Sequence, residues 1–316
     1  MTNREWTKML LTDHASPALV WHGISQALAQ TALEASSPDE IHRATIFPDR
    51  LLSEAAFELW EAFPLAAPRT STRLVEWCHG SKAVLIMDAL SLREMRTLVE
   101  EAKRRGIVAS AEVTFSETPS DTTFFARALG TTTRASLAND GKASTFKLFG
   151  GTCATDMSSA PFEDVDVPPV HGVAIWHSYI DDQIHIGNKT ASELFKLTRQ
   201  QLMDDGFWKL VDKLRSGRQL VITSDHGYAD AVRFSTEIKE PPTVVDFLKA
   251  NFHGGRFTVN VAPGERFLPP LFLTTNGACI VTGQRKWPVQ GGFPKICHGG
   301  LSLLEVASPW IELSAK

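Results

Sequence analysis

Asp225 and His226 stand side by side at the end of an apolar, β-branched run, Leu220-Val221-Ile222-Thr223, and Gly227 follows them. A run of that length suits a strand buried on both faces. Extended backbone sends neighbouring side chains to opposite faces. A turn just past the strand instead brings a carboxylate and an imidazole onto one ion, and Gly227 permits the tight backbone such a turn needs. The same tetrapeptide, Ser224-Asp225-His226-Gly227, also suits an ordinary loop in which Asp225 caps a helix. The other acids, imidazoles and hydroxyls of the chain decide between the two readings.

Asp88 ends a second apolar run, Ala83-Val84-Leu85-Ile86-Met87, and a helical pattern through Lys103 follows it. Ligands of open α/β sheets gather at the carboxyl ends of strands, where Asp88 belongs, although an acid there also caps helices. Thr118-Pro119-Ser120-Asp121-Thr122-Thr123 precedes Phe124-Phe125-Ala126-Arg127. Hydroxyls grouped at a helix start face unpaired N–H groups, a place that stabilises an attacking alkoxide or simply caps the helix. Asp181 and His185 are four residues apart and share one face of a helical turn, which suits one metal or a hydrogen-bonded pair. His298, beside Gly299 and Gly300, adds a further imidazole.

The elements that must position these side chains follow from periodicity. Residues 1–75 read as mostly helical, with starts at Ser16-Pro17 and Ser37-Pro38 and a further helix over 51–63. That region holds His14, His22 and His42 but no ligand cluster. Strands are expected over 107–115 and 173–177, and one long amphipathic helix over 190–214. Residues 131–170, rich in Thr, Ser, Ala, Gly and Pro, read as an irregular excursion. Within 232–276, Pro241-Pro242 precedes a helical stretch over 244–251, and strands are expected over 256–261, 271–275 and, just beyond, 278–281. Residues 310–313 read as an edge strand.

The 316 residues suffice for one large α/β domain or two smaller ones. With 43% hydrophobic and 22% charged residues the chain is of globular composition. A net charge of −4 and a pI near 6.2 argue against a nucleic-acid coat or a membrane-surface protein. A nucleotide substrate stays compatible, because bound divalent cations reverse the sign of an acidic pocket. Cys78, Cys153, Cys279 and Cys297 are widely spaced and fit reduced thiols in a cytoplasmic protein. No run approaches a membrane span, and the first residues lack a signal peptide's apolar core.

In chain order the candidates are Asp88, a hydroxyl near 122, Asp181 with His185, Asp225 with His226, and His298. The stretches IMDALS, TPSDTTFFARALG, YIDD, ITSDHGY and CHGGLSLLEV resemble the alkaline phosphatase superfamily, and within it the PglZ domain branch, over roughly residues 83–313. The resemblance implies an alkaline-phosphatase-like α/β fold with a mainly parallel sheet flanked by helices. Residues 1–75 would form a helical N-terminal extension, 76–316 the catalytic domain, and 232–276 an inserted cap. It also implies two divalent ions, zinc being favoured and manganese or magnesium allowed. One would be held by Asp181, His185 and His298. The other would be held by Asp88, Asp225, His226 and the nucleophile Thr122, placed by matching PSDT to the branch's Pro-Ser-x-Thr; Ser120 and Thr123 are the alternative hydroxyls. PglZ sequences often carry Gly-Asp-Lys after their Ile-Asp, where this chain has Ile186-Gly187-Asn188-Lys189 two residues late. Asp182 is therefore the alternative to His185.

Two cations close together polarise a phosphoryl group and lower the pKa of an attacking hydroxyl. The expectation is a metal-dependent phosphodiesterase acting on a phosphate-ester small molecule or a nucleotide or oligonucleotide. Phosphomonoesterase and a non-turning metal-binding scaffold are the alternatives. Diesters are preferred because no basic residue adjoins SDHG or PSDT except Arg127. The branch often occurs beside receiver or defence-system domains, which implies protein partners of a defence or signalling system and no membrane. Sulfatase chemistry is less expected, because no Cys/Ser-x-Pro-x-Arg stretch supplies the modified nucleophile that chemistry needs.

Overall fold

The computed structural model describes residues 1–12, 16–137, 145–151, 154–234, 242–259, 267 and 269–316. His14, Cys153, Pro241 and the end of the strand expected over 256–261 lie outside them. Five helices come first: α1 (Asn3–Leu11), α2 (Pro17–Glu34), α3 (Pro38–Glu54), α4 (Glu58–Ala66) and α5 (Thr70–Trp77). Then follow β1 (Lys82–Met87), α6 (Leu92–Arg104), β2 (Ala109–Phe115), α7 (Thr122–Ala128), β3 (Ala154–Ser158), β4 (Gly172–His177) and α8 (Tyr179–His185). The remainder is α9 (Ala191–Met203), α10 (Asp205–Arg215), β5 (Gln219–Thr223), β6 (Ala229–Asp230), α11 (Pro242–Phe252), β7 (Phe257–Thr258), β8 (Phe272–Thr275), β9 (Ala278–Val281), β10 (Ile296–Cys297), α12 (Leu303–Val306) and β11 (Ala307–Leu313).

The main sheet has six strands in the order β2-β11-β5-β1-β4-β3. β5, β1, β4 and β3 pair in parallel, and β11 runs antiparallel between β5 and β2. The period of two explains why these strands are continuously apolar. Ala83, Leu85, Met87, Val173 and Ile175 face one core with α2, α6 and α10. Val84, Ile86, Ala174 and Trp176 face another with Leu74 of α5 and Phe125 of α7. A strand covered on both faces has no polar side to show.

Several expectations are corrected here. β11 is an interior strand, because β2 covers its outer side. The excursion 131–170 contributes β3, which extends the sheet edge beyond β4. The helix expected over 190–214 breaks at Asp204, whose carboxylate accepts the Gly206 N–H at 2.7 Å and starts α10 afresh. The helix expected over 51–63 belongs partly to α3 and partly to α4, with a break at residues 55–57.

The N-terminal helices share the sheet's core: Trp21 of α2 is fully buried, edge-on to Phe115 of β2 with ring centres 4.8 Å apart. Residues 242–281 carry α11 and a separate three-stranded sheet, β7-β9-β8, around Phe252, Leu271, Val281 and Trp287. β10 pairs antiparallel with β6, with Cys297 opposite Ala229, and so delivers the loop after it to the loop after β5. No described helix is long and apolar enough to cross a membrane.

Candidate metal centre

The site lies past the carboxyl ends of parallel strands. β1 runs into Asp88, whose N–H bonds the His177 carbonyl of β4 at 2.9 Å. The chain then turns through Ala89, a left-handed residue at φ 62°. That conformation costs an L-residue roughly 1–2 kcal/mol, and here the Ala89 N–H is taken by Asp225 Oδ1 at 3.1 Å. β5 runs into Ser224, whose hydroxyl donates to the His226 carbonyl at 2.6 Å and curls the chain. Asp225 Oδ1 also accepts the His226 N–H at 3.1 Å.

Gly227 serves a purpose different from the expected tight turn. Its φ is not positive; a Cβ there would sit 2.3 Å from the Leu304 carbonyl. Its N–H bonds the Glu305 carbonyl at 2.9 Å. The SDHG and HGGLSLLE segments are thus packed backbone to backbone. Glu305 is buried, accepting from the Gly300 N–H at 2.9 Å and the Ser302 hydroxyl at 2.6 Å and pairing with Arg256 at 3.0 Å. A side chain at residue 300 would strike that pair.

Asp88, Asp225 and His226 are fully buried, and one ligand atom from each lies within 4.8 Å of the others. His226 Nδ1 meets the Gly227 carbonyl at 2.9 Å. That contact makes Nδ1 the protonated nitrogen and leaves the Nε2 lone pair facing the carboxylates, 3.7 Å from Asp88 Oδ1 and 3.6 Å from Asp225 Oδ2. Thr122, first residue of α7, places its hydroxyl among all three: 2.8 Å from Asp225 Oδ2, 3.3 Å from Asp88 Oδ1 and 3.3 Å from His226 Nε2. Asp121 is the cap of α7, accepting the Thr123 N–H at 2.9 Å, so the Thr122 hydroxyl is free of that duty.

The alternative hydroxyls are employed elsewhere or stand apart. Ser120 donates to the Gly300 carbonyl at 2.9 Å and accepts the Gly299 N–H at 3.1 Å, clamping the two loops together. Thr123 makes no side-chain hydrogen bond to the cluster among the described residues.

A second group joins Asp181, His298 and again His226 within 4.8 Å. The His226 and His298 rings stack 4.2 Å apart, and His298 Nε2 lies 4.0 Å from Asp181 Oδ1. Burial presses the His298 pKa down, favouring the neutral ligand form. Burial works to raise the Asp181 pKa, but the hydrogen-bonding contact with His185 and the neighbouring imidazoles lower it on balance. His185 lies outside the grouping, its side chain 65% exposed and its Nε2 3.3 Å from Asp181 Oδ1. Asp182 turns away and accepts the Ser178 hydroxyl at 2.8 Å. His226 thus belongs to both groups, while His185 stands beside Asp181.

Divalent ions fit these donors. Among the described residues, His298 Nδ1 is buried without a hydrogen-bond partner and Asp181 Oδ1 meets the exposed His185 alone, whereas buried polar atoms are ordinarily satisfied. Carboxylates with neutral imidazoles suit zinc best.

One residue escaped the sequence reading. Arg134 donates through Nη1 to Asp88 Oδ2. It lies in the stretch read as irregular, and no local pattern links it to a strand end. Arg127, the one basic residue considered, is exposed, its guanidinium 5.5 Å from the Phe124 ring centre.

No family model matches the sequence, and no curated protein matches it. Among solved structures, the chain is similar to murine ectonucleotide pyrophosphatase/phosphodiesterase 5, at 12% identity and a TM-score of 0.37, over 75% of this chain and 88% of that one. It is also similar to phosphonoacetate hydrolase from Sinorhizobium meliloti 1021. The complex with phosphonoformate gives 10% identity and a TM-score of 0.39, over 75% of this chain and 90% of that one. The complex with phosphonoacetate gives 11% and 0.38 over the same shares. The likeness to the PglZ branch accordingly rests on the motifs, and the chemistry of the site on its own side chains.

Proposed function

We propose that the chain is a metal-dependent phosphoryl-ester hydrolase of the alkaline phosphatase superfamily, in or near its PglZ branch, with Thr122 as nucleophile. The observation that carries this reading is the Thr122 hydroxyl, held by hydrogen bonds among two buried carboxylates and an imidazole. Such a setting is wasteful for a structural threonine and apt for one that must lose its proton.

Asp88, Asp225, His226 and Thr122 would hold one ion, and Asp181, His298 and His226 a second, with His185 in support of Asp181. Bound there, divalent ions supply Lewis acidity toward the phosphoryl oxygens and lower the pKa of a nearby hydroxyl. Asp225 Oδ2 is the acceptor toward which the Thr122 proton already points. The hydrogen bond from Nδ1 to the Gly227 carbonyl keeps His226 in one tautomer through the reaction. Ser120 and Glu305 hold the two loops in register, so the distance between Thr122 and His298 is set by the backbone. Thr122 Oγ1 attacks phosphorus, the ester oxygen leaves as an alcohol, and water releases the phosphoryl group from Thr122.

Thr122→Ala tests this. Turnover of p-nitrophenyl phosphate and its bis ester by zinc-loaded protein should fall to background, while the fold survives because Asp121 carries the cap. Thr122→Ser should keep part of the activity, since a primary hydroxyl still reaches the cluster. Near-wild-type turnover in Thr122→Ala would remove the covalent route and leave a water as the nucleophile.

A further inference from the structure

The two oxygens of Asp88 face different partners. Oδ1 lies 3.3 Å from the Thr122 hydroxyl and 3.7 Å from His226 Nε2, inside the cluster. Oδ2 accepts from Arg134, whose side chain is 21% exposed while Asp88 is fully buried. A guanidinium carries five N–H donors in a rigid fork and stays charged at every relevant pH. The contact to Asp88 is the sole hydrogen bond Arg134 makes among the described residues. Arg134 is therefore tethered to Asp88 by one nitrogen, with further donors in reserve.

We propose that Arg134 is the substrate-selecting residue of this site. It holds Asp88 through Nη1 and offers its remaining N–H groups to a non-bridging oxygen of the phosphoryl group. Substrates bearing an additional negative oxygen, the phosphomonoesters, are thereby favoured over diesters. This deepens the hydrolase reading and rests on it. It also reverses the preference drawn from sequence, whose ground was the lack of a basic side chain near the motifs. A diester has one charged oxygen fewer to meet the guanidinium.

The test compares wild type, Arg134→Ala and Arg134→Lys, all zinc-loaded. One readout is inorganic phosphate affinity by calorimetry; the other is kcat/KM for p-nitrophenyl phosphate against bis-p-nitrophenyl phosphate. Arg134→Ala should weaken phosphate binding at least tenfold and lower the monoester-to-diester ratio by a similar factor. Arg134→Lys should recover part of the phosphate affinity, because it restores charge without the fork. Unchanged phosphate affinity and an unchanged ratio in Arg134→Ala would overturn the inference. So would an equal fall for both esters accompanied only by weaker zinc binding, which would make Arg134 a positioning residue for Asp88. If wild type cleaved neither ester yet bound phosphate in an Arg134-dependent way, the hydrolase reading would fall and the anion role would stand. If it bound no phosphate at all, both would fall.

Discussion

Asp88, Asp225 and His226 stand at the ends of two adjacent central strands and are fully buried. Asp181 and His298 stand on a seven-residue helix and a glycine loop, with 15% and 19% of their side chains exposed. In the deep half, hydrogen bonds fix the ligands before any ion arrives: Asp225 to the Ala89 N–H, His226 to the Gly227 carbonyl, Asp88 to Arg134. In the outer half, among the described residues, His298 Nδ1 has no such partner and Asp181 Oδ1 meets the exposed His185 alone. The deep half is preorganised by the sheet, while the outer half is completed by what it binds. The deep ion should therefore be the tighter of the two, and the outer one the first lost to a chelator.

The largest effect is expected from Asp225→Ala, which removes the acceptor of the Thr122 proton and the support of Ala89 at once. Activity should fall about a thousandfold or more, and metal analysis should show the deep ion lost. Asp181→Ala should lose the outer ion alone and cost about a hundredfold in kcat/KM. If either variant emptied both halves equally, the two would be one cooperative unit and the contrast would break.

His226 sharpens the comparison because it belongs to both groups. His226→Ala should weaken zinc binding in both halves, and His185→Ala should cost only severalfold in kcat/KM. A greater loss of zinc from His185→Ala than from His226→Ala would restore the assignment that the sequence resemblance implies.

The smallest effect concerns the scaffold beneath the outer loop. Asp49 of α3 accepts the Leu303 N–H at 2.7 Å and the Gln284 amide at 2.8 Å. Burial pushes its pKa up to about 7. An acid whose folded pKa is raised binds more protons folded than unfolded, so stability falls as pH climbs from the unfolded value toward about 7 and levels off above it. Asp49→Asn keeps an acceptor for Leu303 and removes this titration. Its melting temperature should decline less than wild type between pH 5 and pH 8; an identical decline would show that Asp49 does not titrate in that window.

The strands β1, β4 and β5 were legible in the sequence because a strand buried on both faces must be apolar along its length. The acids at their ends stood out for the same reason, each a charge closing an apolar run. Thr122 was reachable through its setting at a helix start, and the PSDT match selected it over Ser120 and Thr123. The Ser120 hydroxyl is engaged by the Gly299-Gly300 loop, a contact no local pattern announces.

Other features had no local signal. The interior position of β11 depends on β2 covering it, a pairing between residues about two hundred apart in the chain. The sharing of His226 between two groups follows from β10 pairing with β6, which stacks His298 on it. His185 was placed by the i, i+4 rule, which makes it a neighbour of Asp181 but does not say which face of a short helix the rest of the protein will cover. Arg134 reaches Asp88 across 46 residues from a stretch whose composition reads as irregular. Sequence period reports which side chains avoid water, and so determined the sheet and most of the ligand types. Tertiary packing alone decided which imidazole belongs to both groups and which cation meets Asp88, because those choices rest on contacts between segments that carry no common period.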